Sequence, residues 1–342
     1  MRAVLVHEGG GPDQLRYEQV PDPHISDTEA LVRVQACGVN HLDLLVRDGP
    51  WAAVVSFPHI PGLEAAGEVA QVGRAVEHVR VGDRVLVGPI IVCGRCERCR
   101  QGDDNFCKTL KIIGLHVHGG YAEYLKAPGD NLIPIPSHMS YAEAAATPVA
   151  FGTAWHMLVT RAALKAGETV LIVAIGSGVG SAAAQISKYL GCRVIGTAGT
   201  DEKLAKARAL GADEVINHCR ADFSREVMRL TGKRGVDVVF EHVGTDTWQK
   251  SIASLARNGR LVTCGATTGR VAPTDIWLLF LKQLTLIGSY AATKRDFLEV
   301  FNLVSQGRLK PVIDRCFPLE EAASAQAYLM ERRQFGKLIL NP

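Results

Sequence analysis

The chain has 342 residues, of which 47% are hydrophobic and 21% are charged, and its formal net charge is +3. This balance is typical of a soluble globular protein with two domains, and it gives no support for a nucleic-acid-binding surface. The longest apolar run, residues 276–287, is too short for a membrane span, which needs about 20 residues. The N-terminus runs directly into a strand pattern, so we expect no signal peptide and a cytoplasmic protein with reduced thiols.

The first 130 or so residues show the pattern of short β-strands joined by turns. Polar and apolar residues alternate in segments 30–36 and 67–72, and an apolar run at 82–87 follows a turn. Glycine and proline punctuate the whole region. We therefore predict that this part of the chain is mainly β.

Four cysteines then lie in one short polar stretch with the spacing C-x2-C-x2-C-x7-C. This spacing is typical of a closed tetrahedral zinc site, and a metal would supply the folding free energy of a loop that has no apolar core. Four protein ligands leave no open coordination position, so we predict one structural zinc per subunit; disulfide bonds are the alternative. The predicted ligands are Cys93, Cys96, Cys99 and Cys107.

From about residue 141, alanine-rich helical stretches alternate with strands that are apolar throughout. Such strands, separated by helices, indicate a doubly wound parallel sheet that is covered on both faces. The predicted strands are residues 169–173, 193–196, 214–217, 236–240 and 259–263. An amphipathic helix near 297–306 and a strand at 336–340 then return the chain to the first domain.

A glycine-rich turn at residues 176–180 follows the first of these strands, and the next helix is predicted from Ser181. The turn matches G-x-G-x-x-G imperfectly, but its small residues would let the backbone approach a pyrophosphate at a helix N-terminus. The βαβ units that follow favour a dinucleotide site over a turn without a ligand. The predicted contacts are Gly176, Ser177, Gly178, Val179 and Gly180.

The following strand ends without the acidic residue that binds the ribose in NAD-dependent enzymes. Its end contains Thr197 and Thr200, Lys203 follows closely, and His218 ends the next strand. These side chains would accommodate a 2′-phosphate better than a 2′-hydroxyl. We therefore predict that they bind NADP(H) rather than NAD(H); the alternative for Lys203 is a solvated helix residue.

Taken together, these segments resemble the medium-chain dehydrogenase/reductase superfamily over essentially the whole chain. The motifs that carry the resemblance are residues 36–43, 61–67, the cysteine stretch, the 176–180 turn and Phe335-Gly-Lys337. The resemblance implies a GroES-like catalytic domain of residues 1–130 and 295–342, with a zinc lobe at 90–110. It further implies a Rossmann domain at 131–294 and a homodimer or homotetramer.

Zinc alcohol dehydrogenases of this superfamily bind a catalytic zinc with a cysteine, the histidine of a G-H-E motif and a second cysteine. The corresponding residues here are Cys37, Leu63 and Val149. A catalytic zinc needs three protein ligands and an open position, so we expect none. A site rebuilt from other ligands is the alternative. The candidates for it are His41, His59 and Glu64.

The zinc-free quinone oxidoreductases are similar to this chain in other details, notably the segment from Asn40 to Asp43 with Arg47 and Gly49 after it. That resemblance implies hydride transfer to a quinone or an α,β-unsaturated carbonyl, which needs less activation than an alcohol does. Asn40 is the predicted donor to the developing oxyanion, and Asp43 is the predicted orienting or proton-relay group. The alternative for Asn40 is a turn-capping amide, and the alternative for Asp43 is a helix N-cap or a surface ion pair.

Further cofactor contacts are expected from the carboxyl ends of the parallel strands, where such folds bind ligands. By analogy with the family, Glu64 is expected to orient a basic group near the cofactor, with Lys337 as the candidate. The expected additional contacts are Thr153, Val243, Gly265, Ala266 and Lys337.

Three functions follow from these observations. The first is an NADP(H)-dependent reductase of quinones or enones without catalytic zinc. The second is a zinc-dependent alcohol dehydrogenase with an atypical site around Cys37, and the third is an NADPH-binding protein without turnover. The partner would be a small carbonyl compound, quinone or alcohol, with no nucleic acid and no membrane.

Overall fold

The computed structural model of the chain describes residues 1–342 and divides into two compact units. Unit 1 comprises Met1–Val149 and Lys310–Pro342, and unit 2 comprises Ala150–Leu309. The boundaries therefore lie later in the chain than residues 130 and 295. The reason is packing, because the helix Tyr141–Ala145 packs on strands of unit 1, whereas the helix Lys294–Ser305 packs within unit 2.

The N-terminal part of unit 1 is mainly β, as the alternation predicts. Its strands are β1 (Arg2–Val6), β2 (Leu15–Gln19), β3 (Glu29–Val39), β4 (Glu64–Val72), β5 (Arg84–Val87), β6 (Ile90–Ile91), β7 (Lys111–Ile112), β8 (Tyr124–Pro128) and β9 (Leu132–Pro134). Its helices are α1 (His41–Arg47), α2 (Glu97–Gln101) and α3 (Tyr141–Ala145).

Unit 2 contains six parallel strands with helices between them. The strands are β10 (Thr169–Ile172), β11 (Arg193–Ala198), β12 (Glu214–Asn217), β13 (Val236–Glu241), β14 (Leu255–Thr263) and β15 (Thr285–Gly288). The helices are α4 (Pro148–Trp155, which begins at the end of unit 1), α5 (Gly178–Tyr189), α6 (Asp201–Ala209), α7 (Phe223–Leu230), α8 (Thr245–Ala253), α9 (Ile276–Leu281) and α10 (Lys294–Ser305).

The strand order of this sheet is β12-β11-β10-β13-β14-β15, and every pair is parallel. The predicted doubly wound sheet is therefore confirmed. The direction of winding reverses between β10 and β13, and a crevice forms outside the carboxyl ends of the strands at such a reversal. The turn after β10 and the turn after β13 flank that point.

The C-terminal return to unit 1 consists of β16 (Ile313–Pro318), α11 (Ala322–Met330) and β17 (Lys337–Asn341). These strands complete a sheet of order β16-β17-β3-β4-β5-β9, with β8 paired to β3. β17 runs antiparallel to β3, with Leu338 opposite Val39 and Leu340 opposite Cys37. This register brings Lys337 to the end of β3. No helix of the chain is long and apolar enough to cross a membrane.

Candidate active site and metal centre

The four predicted zinc ligands converge around α2. Their Sγ atoms all lie within 4.8 Å of one another, with 3.5 Å between Cys96 and Cys99 and 3.6 Å between Cys93 and Cys107. A tetrahedron with Zn–S bonds of about 2.3 Å has edges of about 3.8 Å. The four thiols therefore fit a zinc ion, and the chain has no second cluster of three or more such ligands.

Backbone donors in this lobe favour the thiolate form of two of the ligands. Cys93 N donates to Cys107 Sγ at 3.4 Å, and Cys96 N donates to Cys93 Sγ at 3.4 Å. The Cys93 N–H lowers the pKa of Cys107 to about 6, and the N–H groups of Arg95 and Cys96 lower the pKa of Cys93. Burial instead raises the pKa of Cys99 to about 12, and a bound cation would offset that cost.

Two of the three residues that by resemblance correspond to catalytic zinc ligands are apolar in this chain. Cys37 is buried on β3, and burial raises the pKa of its thiol well above the usual value. Leu63 and Val149 pack in an apolar cluster whose buried members are Val46, Leu63, Ile112 and Leu115. A leucine and a valine have no atom that can bind zinc, so these residues do not fit a catalytic zinc.

The residues that could bind a metal together with Cys37 either make other hydrogen bonds or lie at the surface. His59 Nε2 lies 3.0 Å from the carbonyl oxygen of Gly114, and His41 is exposed at the start of α1. Glu64 is fully buried and accepts hydrogen bonds from the side chains of Asn40 and Lys337 and from Val149 N. None of these residues joins Cys37 in a cluster of three metal ligands.

A buried polar network joins the ends of β3, β4 and β17. Lys337 Nζ donates to Val39 O at 3.0 Å, to Asn40 Oδ1 at 2.8 Å and to the Glu64 carboxylate. Glu64 also accepts from Asn40 Nδ2 at 2.9 Å and from Val149 N at 2.7 Å. All three N–H groups of Lys337 are thereby used, so its ammonium orders unit 1, and a cofactor bond would have to replace one of these contacts.

The side-chain amide of Asn40, the predicted donor to a substrate oxygen, already makes hydrogen bonds within this network. Its side-chain amide donates to Glu64 at 2.9 Å and to Gly38 O at 3.4 Å, while its oxygen accepts from Lys337. The side chain is almost completely buried. A hydrogen bond from Asn40 to a substrate oxygen therefore requires that one of these internal bonds is exchanged.

Asp43 is fully buried and supports the beginning of α1. Its carboxylate accepts from Asn40 N at 2.7 Å, from Gly62 N at 3.1 Å and from Tyr121 OH at 3.1 Å. Burial outweighs these donors and raises the pKa of Asp43 to about 7. The helix-capping alternative thus describes its contacts, and a proton relay through Asp43 would have to pass through Asn40 or Tyr121.

The glycine-rich turn has the geometry of a phosphate-binding turn. Ser177 is the N-cap of α5, and its Oγ accepts from Gly180 N at 2.9 Å. A Cβ atom on Gly180 would lie 2.5 Å from Ala174 O, so only glycine fits here. The helix begins at Gly178, earlier than the predicted Ser181, because the Ser177 cap lets the glycine residues form the first turn.

Thr197 supports this turn from the neighbouring strand. It is buried, and its Oγ1 accepts from Ala174 N at 3.0 Å. This bond uses the Thr197 hydroxyl as an acceptor, and its own O–H is the group that could donate to the cofactor, so the predicted contact stays a prediction. The other predicted ribose-side residues lie around the ends of β11 and β12, where Thr200 caps α6 and exposed His218 lies beside Gly199. Lys203 is half-buried in the first turn of α6.

Two further residues near the crevice were not predicted as site residues. Arg220 is exposed and pairs with Asp201 at 2.7 Å, so it neutralises the first carboxylate after β11. Glu241 is buried at the end of β13 and accepts from His242 N and Val243 N at 2.8 and 2.6 Å. Arg220 could have been found by its position two residues after His218; no sequence motif marks Glu241.

The contacts of Glu241 shape the turn after β13, where a cofactor contact from Val243 is expected. His242 Nε2 lies 3.2 Å from Ser177 Oγ, which links this turn to the N-cap of α5 across the reversal of the sheet. Gly265 lies beside them, since a Cβ atom there would be 2.8 Å from His242 O. Thr153 on α4 is half-buried, and Ala266 is exposed.

Comparison with known proteins decides the family. Residues 26–137 match the model of the alcohol dehydrogenase GroES-like domain, and residues 178–306 match that of the zinc-binding dehydrogenases. The NAD-dependent alcohol dehydrogenase of Sulfolobus acidocaldarius is 35% identical over 348 residues, which cover 99% of each chain. The chain belongs to the medium-chain dehydrogenase/reductase superfamily. Its predicted fold class and its assignment as an oxidoreductase enzyme are thereby confirmed.

Relatives within this superfamily have different names. The human quinone oxidoreductase is 31% identical over 351 residues, covering 99% of this chain and 97% of its own. A crystal structure of an NAD-dependent alcohol dehydrogenase is 42% identical, with a TM-score of 0.96 and full coverage of both chains. Similar proteins thus include both alcohol dehydrogenases and quinone oxidoreductases, and the substrate and the cofactor have to be argued from the residues of this chain.

Proposed function

We propose that this protein is an NADP(H)-dependent oxidoreductase that transfers a hydride between the nicotinamide and a quinone or α,β-unsaturated carbonyl, without a catalytic zinc. The observation that carries the proposal is the apolar cluster around Leu63 and Val149, the two residues that by resemblance correspond to zinc ligands of the zinc alcohol dehydrogenases. Without a Lewis acid, an unactivated alcohol is hard to oxidise, whereas an electron-poor acceptor needs mainly positioning and an oxyanion donor.

In this reaction the bound nicotinamide supplies the hydride, and the residues of the chain bind and orient. Ser177 and Gly180 shape the turn for the pyrophosphate. The apolar side chains around Leu63 exclude water and accommodate the carbon skeleton of the acceptor. Asn40 is the polar side chain nearest to this role, since its amide can donate to the developing oxyanion if it releases Gly38 O.

The substrate assignment is tested by steady-state kinetics with a quinone, an enone and a primary alcohol. We expect oxidation of NADPH by the quinone or enone and little reduction of NADP⁺ by the alcohol. The Cys37→Ala variant should keep this activity, because Cys37 ligates no catalytic metal in the proposal. Oxidation of the alcohol that is abolished in Cys37→Ala would instead establish the zinc alcohol dehydrogenase, which the similarity to alcohol dehydrogenases favours. NADPH binding without turnover of any acceptor would establish the third function.

The preference for NADP(H) rests on the charges beyond β11. No acidic residue stands at the end of that strand, and Asp201 is engaged by Asn217 and Arg220. We expect Arg220→Ala to lower kcat/KM for NADPH by about tenfold and to leave kcat/KM for NADH unchanged, since a charge-assisted bond to phosphate is lost. Arg208→Ala, in the last turn of α6, is the matched control. Equal losses with both cofactors would contradict the proposal.

The self-association that we propose uses the edge of the parallel sheet. β15 is an edge strand, and α9 beside it leaves Trp277 66% and Phe280 55% exposed. Exposed apolar side chains next to an unpaired strand are typical of a subunit interface. Light scattering should give twice the mass of one chain, and a monomer at micromolar concentration would refute the dimer. We also propose a reducing, cytoplasmic location, since no two of the nine cysteines form a disulfide bond.

A further inference from the structure

A second cleft lies in unit 2, at the opposite end of the parallel sheet from the glycine-rich turn. Its volume is about 340 Å³. Its walls come from the C-terminal end of α7, the segment before β13, the first residues of β14 and the segment between α9 and β15. The lining residues are Met228, Lys233, Arg234, Ala256, Arg257 and Lys282.

The cleft carries more positive than negative charge. Of its four cationic side chains only Arg234 has an acidic partner, Asp237, and the side chains of Lys233 and Arg257 make no ion pair. Burial and the charge of Arg257 both lower the pKa of Lys282. An anion in the cleft would offset this repulsion among like charges.

Backbone carbonyl groups hold the ammonium of Lys282 in a fixed place. Lys282 Nζ donates to Ala253 O at 3.3 Å and to Leu255 O at 2.6 Å, which leaves one N–H for a further acceptor. Lys233 itself has a left-handed backbone with φ of 67°, and so has Asn258 with φ of 60°. Asn258 N donates to Lys282 O at 2.7 Å and joins two of the turns. The charge of Lys282 and the turns that carry the other cations are therefore in place before any ligand arrives.

We propose that this cleft binds an organic phosphate, with the phosphoryl group between Lys233, Arg257 and Lys282 and the apolar part of the ligand on Met228 and Ala256. Several cations around one position suit a phosphoryl group better than a singly charged carboxylate, and the guanidinium of arginine matches its oxygen atoms. The half-buried thioether of Met228 offers an adaptable apolar wall. This assignment is independent of the hydride transfer, because the cofactor turn lies at the carboxyl ends of the same strands.

The proposal is tested by NMR on the full chain labelled with ¹³C at the methionine methyl groups. The chain has five methionines, and the signal of Met228 is identified by its loss in Met228→Leu. Phenyl phosphate and inorganic phosphate are titrated separately at constant ionic strength. We expect a saturable shift of the Met228 signal and tighter binding of phenyl phosphate. We also expect affinity to fall about tenfold in Lys233→Ala and in Arg257→Ala.

Arg225→Ala is the matched control, since Arg225 is exposed on α7 and does not line the cleft. Unchanged signals of the other methionines show that each variant is folded. A shift that is not saturable, or that survives both cleft substitutions, would overturn the proposal. Equal affinity for the two phosphates would overturn the assignment to an organic phosphate.

Discussion

Removal of the Lys337 ammonium tests the buried network of unit 1. Lys337→Met would leave the Glu64 carboxylate without its cation, although the carboxylate is fully buried and would keep the donors Asn40 Nδ2 and Val149 N. Breaking a buried ion pair by removing one partner costs about 3–5 kcal/mol of unfolding free energy. We therefore expect a loss of this size, measured by urea denaturation monitored by tryptophan fluorescence.

The double variant Glu64→Gln/Lys337→Met should be more stable than Lys337→Met alone, since it leaves no unpaired charge. Arg74→Met is the control for charge removal, because Arg74 pairs with Asp27 at the surface, with 87% and 59% of their side chains exposed. That control should change the free energy of unfolding little. If Lys337→Met lowered the free energy of unfolding no more than Arg74→Met does, the buried ion pair would not stabilise unit 1. The same conclusion would follow if the double variant were no more stable than Lys337→Met.

Three further predictions follow from the site. Burial raises the pKa of Asp43 to about 7. The folded state therefore binds more protons than the unfolded state between about pH 4 and pH 7. The stability that Asp43 contributes consequently falls as the pH rises through this window. Urea denaturation should show a lower free energy of unfolding at pH 8 than at pH 5 in the wild type and a smaller difference in Asp43→Asn. Equal differences in the two proteins would contradict the raised pKa of Asp43. Gly180→Ala places a Cβ atom 2.5 Å from Ala174 O. We therefore expect thermal unfolding to show a loss of about 1–3 kcal/mol in stability, and fluorescence titration to show weaker cofactor binding. Unchanged cofactor binding would argue against the tight turn. Removal of zinc by a strong chelator should unfold the zinc lobe and make it sensitive to limited proteolysis at Arg95, Arg98 and Arg100. A zinc lobe that stays resistant to the protease would argue against a structural metal.

Features encoded by short sequence spacing could be predicted well. The four cysteines lie within 15 residues, so their spacing alone brings the thiols together. Apolar strands separated by helices likewise predict the parallel sheet, because a strand without alternation must be buried on both faces. The glycine-rich turn was predicted in place, although the helix begins at Gly178 because the capping hydroxyl of Ser177 is a three-dimensional contact.

Contacts between distant residues could not be predicted from local patterns. Lys337 and Glu64 are 273 positions apart, so no local pattern connects them, and only the analogy with the family predicts their contact. A threonine at a strand end has the same sequence signal whether or not its hydroxyl accepts from a backbone N–H, so the bond from Ala174 N to Thr197 could not be predicted. The role of Glu241 depends on three consecutive N–H groups that turn toward its carboxylate, and no residue pattern encodes that turn.

We propose that the zinc lobe holds the metal of this enzyme and that the apolar cluster around Leu63 holds none. The most direct measurement is the zinc content per subunit of the wild type, of Cys37→Ser and of Cys93→Ser/Cys96→Ser, purified without added metal. We expect one zinc that is retained in Cys37→Ser and lost in the lobe variant. Two zinc ions in the wild type, one of which is lost in Cys37→Ser, would contradict the account.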